Sequence, residues 1–339
     1  MKNIKNKLYL LASCFAAVTC FSACEDWTEV ESVTINTPGV AEQNPEQYAK
    51  YLQNLVSYKN SDHKIVYAWF DNSEKSPFSR GQHISDAPDS LDIISLMYPG
   101  ELAEFETADI EMVRQKGTKV VYTISFDKIQ KEYTEKVKEG SLTEGTFDTY
   151  LTSELNKQIG YAGIYDGMII EYKGRNPIYM SNEEKTEAKK YQDSFFGAVS
   201  SWKNSNSGKI LSFQGNPENL ISQTILENCK HIILNTDNVV DDAQLSVVAR
   251  KALLADNVPS DRFIVTVSTA SLDASDKKTG FYGEDRAITE AAYWVMEPTT
   301  DFTKSGLAIY NVQNDYYNAN HTYKYVKEAI NIMNPAPQK

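Results

Sequence analysis

The chain has 339 residues, 41% of them hydrophobic and 24% charged, a balance that excludes both an intrinsically disordered protein and a polytopic membrane protein. Its formal net charge of −12 excludes a nucleic-acid scaffold and gives no hold on anionic headgroups, which favours a neutral or cationic partner. His63, His83, His231 and His321 show no metal-ligand spacing and no glycine-rich phosphate loop follows the first strand, so neither a metal nor another cofactor is expected.

In chain order, Lys2, Lys5 and Lys7 precede an apolar run from Leu8 to Phe21, the layout of a secretory signal and too short for a permanent span. The run ends in Phe21-Ser22-Ala23-Cys24, which resembles the lipobox of bacterial lipoproteins, with Phe21 where Leu is more usual. That resemblance implies cleavage after residue 23 and a lipid on Cys24. Glu25-Asp26 then resembles the export signal of Bacteroides-type lipoproteins, implying an outer-membrane, lipid-anchored and surface-exposed protein. Cleavage removes three lysines and no acid, taking the charge from −12 to −15. It also removes Cys14 and Cys20, and with Cys24 acylated only Cys229 is left, so no disulfide framework is expected.

Residues 24–45 are polar and carry Asn36-Thr37-Pro38-Gly39 and Asn44-Pro45, turn chemistry without an apolar period, and read as a tether. Folded structure is expected from Glu46 to the end at 339. There the chain alternates short β-branched runs with amphipathic stretches, the pattern of a parallel sheet covered by helices. The expected strands are Lys64–Phe70, Ser90–Met97, Lys119–Phe126, Gly167–Tyr172, Lys209–Phe213, His231–Asn235, Phe263–Ser268 and Leu307–Asn311. Between them Ser181 with Glu184 forms a capping-box pattern, and Asp242 opens a helix from Ala243 to Ala255. Trp202 and Trp294 fall in helical stretches and read as packing against the sheet. Eight such units in about 290 residues predict a closed (β/α)8 barrel of the α/β class. An open doubly wound sheet is the alternative, weakened by the missing dinucleotide fingerprint.

Three segments resemble glycoside hydrolase family 18, the chitinases and endo-β-N-acetylglucosaminidases. Gly117-Thr118-Lys119-Val120-Val121 is similar to the entry into the family's third strand. Tyr161-Ala162-Gly163-Ile164-Tyr165-Asp166-Gly167 is similar to the approach to the fourth, and Gly306-Leu307-Ala308-Ile309-Tyr310-Asn311 to the last, whose end normally carries a Trp under the sugar. Active members read D-G-x-D-x-D-x-E on the fourth strand, carboxylates on alternate residues facing the barrel mouth. Aligned on Asp166-Gly167, the inner acids become Ile169 and Glu171 and the terminal acid becomes Lys173. The family's reaction uses the substrate acetamide as nucleophile, a protonated terminal carboxyl as acid and an Asp two residues earlier. An ordinary lysine, with a pKa of about 10.4, is a poor proton donor at neutral pH. Glu171 lies one side-chain layer deeper, roughly 6 to 7 Å along the strand, too far to substitute directly. A Glu171–Lys173 ion pair is the plainer expectation. The third strand also departs, with Thr123-Ile124-Ser125-Phe126 where chitinases carry a Ser and two glycines.

Ligands of such barrels bind at the C-terminal strand ends. Sugars need aromatic faces and amide or carboxylate partners, so the expected ligand-binding residues are Trp69, Asp71, Tyr98, Phe126, Glu171, Lys173, Phe213, Asn216, Asn235, Asp237, Tyr310 and Asn311. A Trp or Phe there is as readily core as platform. The resemblance thus implies a non-catalytic surface lipoprotein that binds a GlcNAc-containing oligosaccharide alongside an outer-membrane importer and glycosidase partners. Two alternatives stay open: an active glycosidase with a relocated acid, and a scaffold subunit of a glycan-uptake complex.

Overall fold

The computed structural model describes residues 39–143 and 145–336. The expected signal, the lipidation site Cys24 and most of the expected tether therefore lie outside the described residues. The chain divides into two units, 1–49 and 50–339. In the first, part of the expected tether is helical: α1 spans Val40–Gln43, and α2, Pro45–Lys59, begins there. The Asn44-Pro45 turn signal is a helix start, because Asn44 Oδ1 accepts the Gln47 N–H at 3.2 Å and Pro45 occupies a first-turn position that needs no N–H.

The second unit is a closed parallel barrel in the spatial order β1-β10-β7-β6-β5-β4-β3-β2. Its strands are β1 (Ile65–Phe70), β2 (Ile93–Leu96), β3 (Lys119–Ser125), β4 (Gly167–Tyr172), β5 (Ile210–Gly215), β6 (Ile232–Leu234), β7 (Phe263–Ser268) and β10 (Lys304–Tyr310). All eight expected strands are present. The two-stranded hairpin of β8 (Phe281–Tyr282) and β9 (Asp285–Arg286) was not anticipated; it lies in the loop after β7. Both faces of the strands are covered, which is why they read as near-continuous apolar runs.

Two apolar shells result. Val66, Ala68, Phe70, Tyr122, Ile170, Phe213 and their like pack outward under the helices. Tyr67, Trp69, Ile93, Val121, Ile169, Ile233, Ile264 and Ala308 fill the barrel itself. The helices close the outer shell as expected: Trp294 is 2% and Trp202 9% exposed. The Ser181–Glu184 capping box is formed, with N–H to side-chain oxygen distances of 3.2 and 2.7 Å. The Asp242–Ala252 helix is capped by Asp241, one residue earlier than expected, and ends short of Ala255.

Strand ends differ from expectation for local reasons. β2 begins at Ile93, not Ser90, because Leu91 closes a turn on Pro88 and the buried Asp92 carboxylate takes the Val66 N–H at 2.8 Å. β10 begins at Lys304, not Leu307. At Gly306 a side chain would collide with the Ile65 backbone, so the glycine permits strand contact. Lys304 is buried with its ammonium 4.0 Å from the Trp294 ring centre and donating to the Trp294 carbonyl at 2.5 Å. Within the barrel's lower half, the Tyr67 hydroxyl bonds Ser212 Oγ and His231 Nδ1, both at 2.8 Å. Burial pulls the His231 pKa down to about 3, helped by Lys230 and Arg262, so the imidazole is neutral.

Candidate functional site

The mouth is built on the residues where β3, β4 and β5 run out. Ser125, Glu171 and Gln214 are register partners across these strands, and all three face inward. Glu171 accepts from Gln214 Nε2 at 3.2 Å, and Gln214 Nε2 also donates to the Tyr310 hydroxyl from the far wall. Burial raises the Glu171 pKa, against the opposing pull of the Ser125 hydrogen bond and Lys173. Gln214 itself is 4% exposed, and its Oε1 is a buried acceptor without a partner.

Lys173 stands directly after β4. Its ammonium donates to Asp237 Oδ2 at 2.6 Å and lies 3.7 Å from Glu171 Oε1. The expected Glu171–Lys173 pair therefore forms, with Asp237 as the closer partner. Burial depresses the lysine's pKa, but the Asp237 hydrogen bond and the neighbouring carboxylates outweigh it, and the net direction is up. The backbone leaving β4 is pinned as well. Asp127 takes the Lys173 N–H at 2.7 Å, while Asn216 and Asn219 donate to the Lys173 carbonyl at 3.1 and 2.7 Å.

The other expected residues divide sharply. Tyr310, Asn235, Asp237 and Asn311 do converge on the mouth: Asn235 Oδ1 receives the Asp237 N–H, and Asn311 Nδ2 donates to Ser268 Oγ. Asp71 caps its own loop by taking the Ser73 N–H, and Tyr98, 47% exposed, lies at the rim after β2. Asn216 is committed to holding backbone.

Three expectations need correction. Phe213 is fully buried and Phe126 is 5% exposed, both in the outer shell under the helices, because Phe213 falls on the outward parity of β5 and Phe126 opens the helix that follows β3. Phe126 packs on Phe147, Tyr172 and Phe195. Trp69 has inward parity but is only 3% exposed; it donates Nε1–H to Thr123 and lies 4.8 Å beneath the Tyr310 ring. It supports the floor, and Tyr310 is the ring above it. Two positions of the aligned motif also have structural duties. Asp166 takes the Val120 N–H at 2.8 Å and the Arg114 Nε–H at 3.1 Å at the opposite end of the strand, and Ile169 belongs to the barrel's dry interior.

Sequence reasoning missed the loop after β7. A cavity of about 890 Å³ opens from the mouth beneath that loop, lined by Lys173, Asp237, Thr266, Ser268 and Tyr310 on the barrel side and by residues 277–283 on the other. The signal was a long polar stretch, 269–286, between a strand and a helix.

The sequence model of "Glycoside hydrolase family 18, BT1044-like" matches residues 28–332. The chain belongs to this family. Among solved structures of similar backbone, a selenomethionine variant of BT1044 is 17% identical over 88% of this chain and 96% of its own, with a TM-score of 0.63. An endo-β-N-acetylglucosaminidase from Cordyceps militaris is 16% identical over 84% and 95%, with a TM-score of 0.56. A family 18 chitinase from Pseudoalteromonas aurantia is 12% identical over 79% and 99%, at 0.53. At these identities the likeness concerns the fold. Among curated proteins, none matches.

Proposed function

We propose that this family 18 barrel binds a GlcNAc-containing glycan, of the N-glycan type, without cleaving it. The observation that carries the reading is Lys173: where the aligned motif calls for the proton donor, the mouth holds an ammonium tied to Asp237 and Glu171. A general acid must offer a proton within hydrogen-bond reach of the leaving oxygen, and this group is held in its charged form. The position two residues earlier is occupied by Glu171, which is already engaged with Gln214, and the one before that by Ile169, packed among apolar side chains. What remains suits holding a sugar: the Tyr310 ring and the amides of Asn235 and Asn311.

One observation favours the second reading, a glycosidase with a relocated acid. Glu171 has a raised pKa in the mouth, the shift an acid catalyst needs. Its depth and its lysine neighbour argue against it. Calorimetric titration of the protein with N-glycans and chitooligosaccharides, followed by mass analysis of the recovered sugar, separates the readings. Intact bound sugar is the expected result. Cleavage that disappears in Glu171→Gln establishes the glycosidase instead.

The reading extends to placement: a lipid on Cys24 would hold the barrel on the outer face of the outer membrane, beside an importer and glycosidase partners. Support comes from the charged, apolar, small-residue and cysteine order of residues 2–24. Protease treatment of intact cells is expected to degrade the protein, and full protection would overturn surface display.

A further inference from the structure

The cavity beneath the β7 loop has a charge that the whole chain does not. Its lining carries Lys173, Lys277 and Lys278 against one carboxylate, Asp237, on a chain whose net charge is −12. Lys277 and Lys278 are exposed and form no ion pair among the described residues. The other acids of the loop and its surroundings do not line the cavity, and Glu284 and Asp285, beside the hairpin, are exposed outside it. Asp273 accepts the Ser275 N–H and hydroxyl, both at 2.8 Å; Asp276 accepts the Lys278 and Thr279 N–H groups, both at 3.0 Å. Asp241 caps its helix by accepting the Gln244 N–H at 2.9 Å. Each of these three carboxylates keeps its charge but is hydrogen-bonded to local backbone, whereas Lys277 and Lys278 line the cavity and are paired with none of them.

We propose that this cavity receives an acidic group, a carboxylate or a sulfate ester, carried by the bound glycan. The inference rests on the glycan-binding reading and deepens it by naming the class of sugar. Charge on the rest of the molecule does not forbid it, because beyond about 8 Å at physiological salt the acidic surface is screened, while lysines lining the cavity act at contact range. Lys173 then has a use beyond neutralising Glu171: it forms the inner wall of the cavity, and Lys277 and Lys278 form the outer one. Exposed ammoniums each give roughly a threefold preference for an anion over a neutral group, so the loop pair together gives about tenfold.

The test titrates the protein with one biantennary N-glycan in three forms: neutral, capped with sialic acid, and carrying sulfate esters. Titrations run at about 0.05 M and about 0.15 M salt. Expected is about tenfold tighter binding of an acidic form than of the neutral one, narrowing with salt. In the double variant Lys277→Gln, Lys278→Gln the acidic-to-neutral ratio should approach one. Preference for the sialylated form assigns a carboxylate, and preference for the sulfated form a sulfate ester. Equal affinity for all three overturns this inference and leaves glycan binding standing. A preference that survives the double variant overturns the assignment to this loop. Failure of every form to bind overturns the glycan-binding reading and this inference with it.

Discussion

Replacing His231 with Gln should flatten the acid side of the stability profile. His231 is 6% exposed, its Nδ1 bonds the Tyr67 hydroxyl, and burial holds its pKa at about 3 against 6.5 for a free imidazole. The unfolded chain therefore takes up the proton first. The neutral ring contributes its full stability above about pH 6.5, and that contribution is lost as the pH falls towards 3, at up to about 1.36 kcal/mol per pH unit. Between pH 7 and pH 5 the loss amounts to about 2 kcal/mol. His63 works in the opposite direction over part of the same range, because its hydrogen bond to Asp92 raises its pKa and favours the protonated folded form. Comparing wild type with His231→Gln cancels that background, and Gln retains a group able to bond Tyr67. Urea unfolding at pH 7 and pH 5 measures the difference. Parallel losses of stability in the two proteins would show that His231 is protonated in the fold, and would refute the buried, neutral imidazole.

Tyr310→Ala removes the ring above Trp69 and should weaken glycan binding about tenfold by calorimetry, with the fold retained. Phe213→Ala should behave in the opposite sense: it empties a fully buried site in the outer shell, costing about 3 to 5 kcal/mol in urea unfolding, and leaves the affinity of the folded protein unchanged. Lys304→Ala forfeits the contact over Trp294 and one of the two hydrogen bonds to the Trp294 carbonyl, which keeps the Glu297 N–H at 3.2 Å, for a loss of about 1 to 2 kcal/mol, and Lys304→Met should recover the part that comes from packing of the stem.

The barrel was legible because strands buried on both faces advertise themselves as apolar runs, and eight of them leave few arrangements of this length. The site was legible only in part, and parity explains which part. Counting alternate residues from Gly167 places Glu171 and Lys173 inward, and the register partners Ser125 and Gln214 follow from strand pairing that a single sequence does not contain. Phe126 and Phe213 were read as mouth residues because they end apolar runs, yet β5 extends two residues further to Gly215 and β3 stops at Ser125, so both rings fall outward. Trp69 had the correct parity. Its burial depends on Tyr310 lying over it, a contact between residues 241 positions apart that composition cannot announce. The β7 loop was missed because its two strands are two residues long, below the length at which alternation can be seen.

On the proposed reading, the mouth has not merely lost an acid; its surroundings have closed over the loss. Lys173→Glu would put a carboxylate at the aligned position, but it would remove the cation that Glu171 and Asp237 share and set three acids together. Like charges at such range cannot all ionise, so protons would be held among them. The second missing group is harder to restore. Ile169 packs with Tyr67, Trp69, Val121 and Ile233 in the dry interior, where an unpaired carboxylate costs on the order of 3 to 5 kcal/mol. Ile169→Asp should therefore lower stability by that amount in urea unfolding, and neither it nor Lys173→Glu should release reducing sugar from an N-glycan. Cleavage by Lys173→Glu alone would mean that Glu171 already performs the orienting role, and the barrel would then be one substitution away from an enzyme. The apolar packing around Ile169 argues that binding and cleavage are separated here by the barrel interior as well as by the residue at its mouth.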